Sequence, residues 1–580
     1  VPSTVASCKR RQRWHPMSFS SPAGNKRAAS PPAPCTSTRA RREEGFKARV
    51  VLKSCLAPDA CDSILKRQCK VFLSKLTEDQ FKRVCINLQY YGKPITLVSM
   101  CSGTDIPLVN ASILTEVLGV GQVKQQFSCD NVPHKQQFIQ HVVHEGYAGH
   151  PDACVFECIT KLSGCVAKCT VHEDLCRVVG AVMGSCGFSC KKFSKANVVH
   201  STRSDWMQAM EGFTGVTCKG MLDYLEAHAP MIFVIENVKE LITSDSDNVT
   251  WLADSLRQAG YAFVYDIIDA RNWGVPQTRE RFYGVALHAE AFGKTEEELE
   301  ELGLQVFRVM RTMQTDVAQV GEFLLPDDDP YLRDELARRL AAKHEPTSNN
   351  AKSQGTGWKK LHATAMEKLG KPFSSIYPPK EQAASPWFAA LSDREAQCLG
   401  YEMLRYQSKD GNIGCVDVGQ TIGRGSVTPE GLVPTLLPGS RLWLVGGGVE
   451  GLNEAPPMPR LITGLEMLRL SGFPTEIIGD DAMDKINKCV PDNLYADLAG
   501  NMFVAQVELA LKIAILSAVE LPCPGCGSDC DAEEQEEFDM SQEHIKEKKD
   551  MTDLMGETLL GNLALTLQVD NDKFEIPGVE

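Results

Sequence analysis

The chain has 580 residues, 43% of them hydrophobic and 23% charged, enough for one large or two medium globular domains with a substantial core. No continuous apolar run is long enough to span a bilayer. The best candidate, FVAQVELALKIAILSAVELP, is interrupted by Glu508, Lys512 and Glu520 at helical spacing, which predicts an amphipathic helix packed on a core.

The net charge of -14 argues against a nucleic-acid partner only until its distribution is read. Residues 1–50 carry 11 Lys or Arg against 2 Asp or Glu, or +9; residues 531–580 carry 15 acidic against 4 basic residues, or -11. The total therefore says little about the middle. Twenty-two cysteines with no secretory signal point to a reducing compartment, where most thiols act as small buried hydrophobes.

In chain order, residues 1–46 are rich in Ser, Pro, Ala and Arg and are expected to be a disordered basic segment. KRRQR is a candidate nuclear address, and the acid-poor composition also suits an organellar transit peptide. The expectation is a nuclear protein, with organellar targeting left open. Residues 47–93 form a helical lead-in. From Pro94 the runs PITLVSM, QQFSCD, ACVFEC, VVGAVMG and PMIFVIEN alternate with helix-length stretches, the rhythm of a mainly parallel α/β sheet covered on both faces. YAFVYDIID and RFYGVAL close this block, 94–288. Residues 289–457 are less regular and read as an inserted smaller domain. Apolar helical patterning resumes over 458–518, and 519–580 is an acidic, Cys-containing tail.

The unusual polar residues fall just after the strand-like runs, where open α/β sheets bind ligands. SMCSGTDIP puts a Gly-containing turn between a strand and a helix, suited to bringing backbone N–H groups close to an anionic ligand. Asp130 ends the next strand, where a carboxylate can accept both hydroxyls of a ribose. Cys190 in GFSCKKFS and Glu236 in ENV end later strands. QTRER sets Gln277, Arg279 and Arg281 at alternating positions, so that their side chains share one face of an extended segment. A thiol, a carboxylate and guanidinium groups at neighbouring strand ends supply a nucleophile, an acid and a clamp.

These motifs, in this order over about residues 95–515, resemble those of the cytosine-5 DNA methyltransferases. SMCSGTDIP is similar to that family's cofactor loop, SCDNVP to its ribose-binding acidic turn and GFSCKKFS to its Pro-Cys-Gln nucleophile motif; ENV and QTRER match outright. PRLITGLEMLRLSGFP resembles the helix that follows the family's target-recognition domain, and LAGNMF its last motif. The resemblance implies a Rossmann-like S-adenosylmethionine methyltransferase fold with a mixed, mainly parallel sheet, residues 289–457 being the inserted target-recognition domain. It assigns Met100, Cys101, Ser102, Gly103, Thr104, Asp130, Asn131, Cys158, Asn501 and Met502 to S-adenosylmethionine, and Cys190, Glu236, Arg279 and Arg281 to catalysis. The implied reaction is methyl transfer to C5 of cytosine in DNA, through a covalent bond from Cys190 to C6 of a flipped-out base. Lys191 and Lys192 are expected to favour the Cys190 thiolate, and Glu236 to need a raised pKa. RNA is the alternative substrate, and an inert regulatory or nucleic-acid-binding protein of the same fold the alternative from another class.

The sequence departs from the family pattern at Ser189 and Lys191, which stand where proline and glutamine are usual. Cys158 stands where an aspartate often faces the adenine, and Thr104 and Asp105 replace small residues of the cofactor loop. Cys154, Cys158, Cys165, Cys169, His172 and Cys176 have gaps that suit helix faces better than a zinc knuckle, and Cys523, Cys526 and Cys530 lack a fourth ligand nearby. No metal is therefore expected.

Overall fold

A computed structural model describes residues 62–190, 212–243, 247–344, 357–407, 413–423, 427–445, 458–479, 482–486 and 490–522. The basic head and the acidic tail, with Cys523, Cys526 and Cys530, lie outside the described residues, as do Lys191, Lys192 and residues 193–211.

The central feature is a seven-stranded sheet built from β1 (Ile95–Met100), β2 (Val123–Cys129), β3 (Cys154–Phe156), β6 (Met183–Cys186), β7 (Ile232–Val238), β8 (Tyr261–Asp269) and β9 (Glu280–His288). Between β3 and β6 lies a separate antiparallel hairpin, β4 (Val166–Lys168) with β5 (Leu175–Arg177). The sheet order is β3-β2-β1-β6-β7-β9-β8; β9 alone runs antiparallel to its two neighbours. The sheet is thus mixed and mainly parallel, with its chain direction of growth reversing between β1 and β6. Such a switch opens a crevice at the carboxyl ends of the two strands.

The apolar runs exist because both sheet faces are covered. Side chains alternate across a strand, so Ile232 and Val234 of β7 enter one core while Phe233 and Ile235 enter the other. The first core lies under helices Ile106–Leu118, Glu296–Thr312 and Ala505–Ala518, and the second under Gly212–His228 and Asn248–Gln258.

Three expectations change here. Helix Ala505–Ala518 is buried along its whole length rather than amphipathic; its charges are tolerated because Glu508 and Lys512 pair at 2.9 Å and Asn110 Nδ2 donates to Glu508, as buried charge requires. Among the described residues no single helix is long and apolar enough to cross a membrane. Helix Glu296–Thr312 places Leu299, Val306, Phe307, Val309 and Met310 in the first core, so by packing it belongs to the catalytic body and not to an insertion starting at 289. A smaller sheet, β11 (Val427–Pro429), β10 (Ile413–Asp417), β12 (Leu442–Leu444) and β13 (Arg460–Leu461) in that order, has its own cluster around Trp387, Leu399 and Trp443. Through β13 it extends past residue 457.

Candidate active site

The crevice at the β1/β6 switch is lined by two loops. The first, after β1, needs an unusual backbone: Cys101, Gly103 and Asp105 have φ of 52°, 55° and 51°. Only Gly103 adopts this region without a Cβ penalty. Asp105 is held there by its fully buried carboxylate, which accepts hydrogen bonds from Ser99 Oγ at 2.6 Å and from Ser128 Oγ, and contacts His144 Nε2 at 2.9 Å. The sequence offered no sign that this acidic residue, in a loop where small residues are usual, is a structural anchor. Ile106–Leu118 follows directly, with Pro107 in its first turn.

Asp130, at the carboxyl end of β2, accepts from the amides of Gly103 at 3.1 Å and Val132 at 3.0 Å. It therefore shapes the loop. A carboxylate has further lone pairs, so it retains acceptor capacity for a diol. Burial raises its pKa, opposed by nearby Lys135 and by those amides. Asn131 beside it is exposed. Cys158 follows β3, half-buried, with Sγ 3.1 Å from Thr160 Oγ1.

Ser99, Met100, Cys101, Ser102, Ser185, Asn501, Met502 and Phe503 line one cleft, so the β1 loop and the LAGNMF segment form its opposite walls. Asn501 turns its amide onto Asp497, which also pairs with Lys135 at 2.8 Å. Thr104 is fully buried, and its hydroxyl finds no hydrogen-bond partner among the described residues. The serine hydroxyls and the Phe503 ring of this cleft, with Asp130 holding the adjoining loop from the end of β2, fit an S-adenosyl nucleoside in the chemistry of their donor set.

The second loop follows β6. Gly187 N donates to Met100 O at 3.4 Å, coupling the two loops. A Cβ on Gly187 would stand 2.6 Å from the Phe503 ring and 3.6 Å from Glu236 Oε2, so glycine is what allows this close approach. Phe188 is buried, and its carbonyl accepts from Asn237 Nδ2 at 2.9 Å. Ser189 N donates to Thr217 Oγ1 at 3.1 Å, and Thr217 Oγ1 donates to Phe213 O at 2.7 Å. Proline has no N–H to make such a bond; serine supplies one, and the helix Gly212–His228 supplies its acceptor. Thr217, Asn237 and Phe503 are supports that no single motif revealed, because each acts from a distant segment.

Glu236 lies near the carboxyl end of β7, which is buried throughout, and pairs across the strand with Tyr283 of β9; Val238 pairs with Arg281. Arg281 Nε is 3.4 Å from Glu236 Oε1. Burial raises the Glu236 pKa, opposed by Arg281 and Arg279, which is the direction a proton donor needs. The Cys190 thiol is also pushed up, first by burial and then by Glu236, with Arg281 and Arg279 pulling it down. The lysines expected to ease this ionisation, Lys191 and Lys192, lie outside the described residues. The thiol's described nearby cations come from β9 and its entry, and burial outweighs them.

Arg279 is not exposed to the cleft. It is 3% accessible and donates to Leu436 O, Gly500 O and Met502 O at 3.2, 3.3 and 2.8 Å. Gln277 is likewise buried, donating to Leu470 O at 3.2 Å. The alternation in QTRER does place these side chains on one face, but that face meets the returning chain, so Arg279 is a positioning residue rather than a catalytic one. Tyr283 was not singled out in the sequence. Its buried hydroxyl has no hydrogen-bond partner among the described residues and lies within electrostatic reach of Glu236.

The expectation of no metal meets a contrary arrangement. Cys154, Cys169, His172 and Cys176 bring their ligand atoms within 4.8 Å of one another. The residue spacing misleads because the ligands sit on β3 and on the β4–β5 hairpin and its turn, not along a helix.

The sheet order, the switch-point crevice and the two loops define a Rossmann-like methyltransferase of the S-adenosylmethionine-dependent class. The model of the C-5 cytosine-specific DNA methylase family matches residues 183–502, more than half of the chain, and the chain belongs to that family. It is 24% identical over 507 residues to the DNA (cytosine-5-)-methyltransferase DMT5 of Cryptococcus neoformans var. grubii, covering 83% of this chain and 19% of that protein. To the DMT5 of Verticillium dahliae it is 23% identical over 532 residues, covering 79% and 20%. The chain therefore spans about one fifth of the length of these curated relatives. A Bacillus subtilis relative, type II methyltransferase M.BsuFI, is 33% identical over 108 residues, 18% of this chain and 24% of that one. Among solved structures, S. pombe Dnmt2 methyltransferase aligns over 73% of this chain and 98% of its own, with 13% identity and a TM-score of 0.34, too low to carry an argument.

Proposed function

We propose that this chain transfers a methyl group to C5 of cytosine in DNA, with Cys190 as nucleophile and Glu236 as general acid. The observation that carries the reading is the convergence of Cys190, Glu236 and Arg281 at the carboxyl ends of β6 and β7 and the entry to β9, with both titratable groups raised by burial.

Cytosine C5 is a poor nucleophile until a thiolate adds to C6. In the proposed sequence Cys190 Sγ bonds to C6, the C5–C6 π electrons shift into the ring, and Glu236 delivers its proton to N3. Arg281 holds the Glu236 carboxyl group in place. S-adenosylmethionine, when bound in the cleft between the β1 loop and Asn501–Phe503, supplies an electrophilic methyl group. After C5 is methylated, a water molecule takes the C5 proton, the C6–S bond breaks to return the Cys190 thiolate, and Glu236 recovers the N3 proton. Glu236 as carboxylate raises the Cys190 pKa, so a protonated Glu236 favours the thiolate that attacks C6. A base inside a duplex cannot reach this site, so the reading includes extrusion of the nucleotide.

DNA is favoured over RNA by the activity that the DMT5 relatives are named for; they align over about four fifths of this chain. The test is covalent trapping on 5-fluorocytosine-bearing DNA and RNA. A cofactor-dependent adduct with DNA, absent in Cys190→Ala, is expected; an adduct with RNA alone corrects the substrate, and none with either, despite bound cofactor, sinks the mechanism.

A further inference from the structure

Outside the active site, the free edge of the main sheet carries a second constellation. Cys154 opens β3; Cys169 follows β4, Cys176 lies in β5 and His172 sits in the turn between them. His172 Nδ1 stands 3.6, 3.4 and 3.3 Å from the Sγ atoms of Cys154, Cys169 and Cys176. A tetrahedral zinc ion with Zn–S of about 2.3 Å and Zn–N of about 2.0–2.1 Å implies N···S edges of about 3.6 Å. The three N···S separations are already close to that, and all four donor atoms lie within 4.8 Å of one another.

The backbone brings them there. The β4–β5 ladder pairs Ala167 with Cys176, and Cys169 N closes the turn on Asp174 O at 2.9 Å. Glu173 takes a left-handed φ of 55° in that turn. Cys169 then bridges to Phe156, and Thr170 N donates to Val155 O at 2.8 Å, which lays the hairpin on β3. This hairpin has little core of its own: its strands are three residues long, and Val166 and Leu175 are 50% and 63% exposed. Two-stranded hairpins of this kind are marginal without further support.

We propose that Cys154, Cys169, His172 and Cys176 bind one Zn2+ ion as a closed structural site that staples the β4–β5 hairpin to the edge of the main sheet. Three thiolates and one imidazole, with no carboxylate, suit zinc rather than calcium or magnesium. Binding displaces three thiol protons to solvent, leaves His172 neutral and gives the filled site a net charge of -1. The inference rests on this geometry and not on the methyl-transfer reading.

The test is metal analysis of the full chain purified under reducing conditions. Cys523, Cys526 and Cys530 offer a separate set of thiols, so a Cys523→Ser/Cys526→Ser variant is the reference. In that background one zinc per chain is expected, and adding Cys169→Ser/Cys176→Ser should remove it. Unchanged metal content after that addition overturns the site. If that variant does not fold, cobalt-substituted protein carrying His172→Cys decides the matter. Its thiolate-to-cobalt charge-transfer absorption should grow in proportion to four thiolates in place of three, and an unchanged spectrum overturns the proposal.

Discussion

The two ends of the same sheet are held by different means. At one end β8 and β9 are nine residues each and pair along their whole length, with alternate side chains locked into two cores. At the other, β3 is three residues long, and what covers it is a small hairpin carrying three of the four proposed zinc ligands, the fourth being Cys154 of β3 itself. The first end is stabilised by area and ladder hydrogen bonds, and the proposed catalytic Arg281 of β9 and Glu236 of neighbouring β7 lie beside it. The second has too little apolar area to hold itself, and its polar side chains are concerned with structure.

If that contrast is right, substitutions near β7 and β9 should affect rate or global stability, and surface changes on the hairpin should affect neither. The largest expected effect is from Glu236→Gln, which should lower kcat by about 10²–10⁴-fold, the usual contribution of a general acid. The same variant removes a carboxylate that raises the Cys190 pKa. The pH profile of Cys190 alkylation by iodoacetamide should therefore move to lower pH, whereas in the parent chain the reaction should keep rising above the ordinary thiol range. A shift to higher pH would contradict the electrostatics described for the pair.

Next is Arg279→Leu, which strips the donors from three buried carbonyls. Unsatisfied buried acceptors cost roughly 1–3 kcal/mol each before relaxation, so chemical denaturation should show a loss of several kcal/mol. A full-strength fold with reduced kcat alone would return Arg279 to the catalytic set.

A smaller change is expected for Thr217→Val, which leaves Ser189 N–H without its acceptor and should cost about 1 kcal/mol. Its mark should be a lower kcat with little change in cofactor affinity, measured by calorimetry. The smallest is Glu157→Gln on the hairpin side, which breaks an exposed 3.2 Å pair with Lys168. Such surface pairs contribute about 0–1 kcal/mol, and melting temperature and rate should both be close to the parent values.

Much of the catalytic face was legible in the sequence. Strands covered on both faces are written as unbroken apolar runs, and a Glu-Asn pair or a thiol at the end of such a run stands out. Supports that come from far along the chain were not legible. Thr217 is an ordinary helical threonine until its hydroxyl is seen to accept from Ser189, and Arg279 shares its spacing with Arg281, although one faces a carboxyl group and the other three carbonyls. Helix Glu296–Thr312 misled because its acidic first turn, Glu296, Glu297 and Glu298, reads as surface while its later turns are core. The Cys/His set misled for a different reason: ligand spacing has meaning only once the backbone between the ligands is known, and here it is a hairpin docked on a strand.

Asn87 illustrates how late this body must be completed. Its side-chain amide donates to Leu516 O and Val519 O, and its oxygen accepts from Leu521 N, across 429, 432 and 434 residues of sequence. The first of these partners lies in the helix buried on every side, and the other two just after its end. During synthesis the sheet therefore emerges with one of its cores only partly covered until the ribosome has passed this helix. Such long-range closure is slow and leaves apolar surface exposed in the interval. Chains stopped before Ala505 should partition to chaperones or aggregates, even though every strand of the main sheet has already been made.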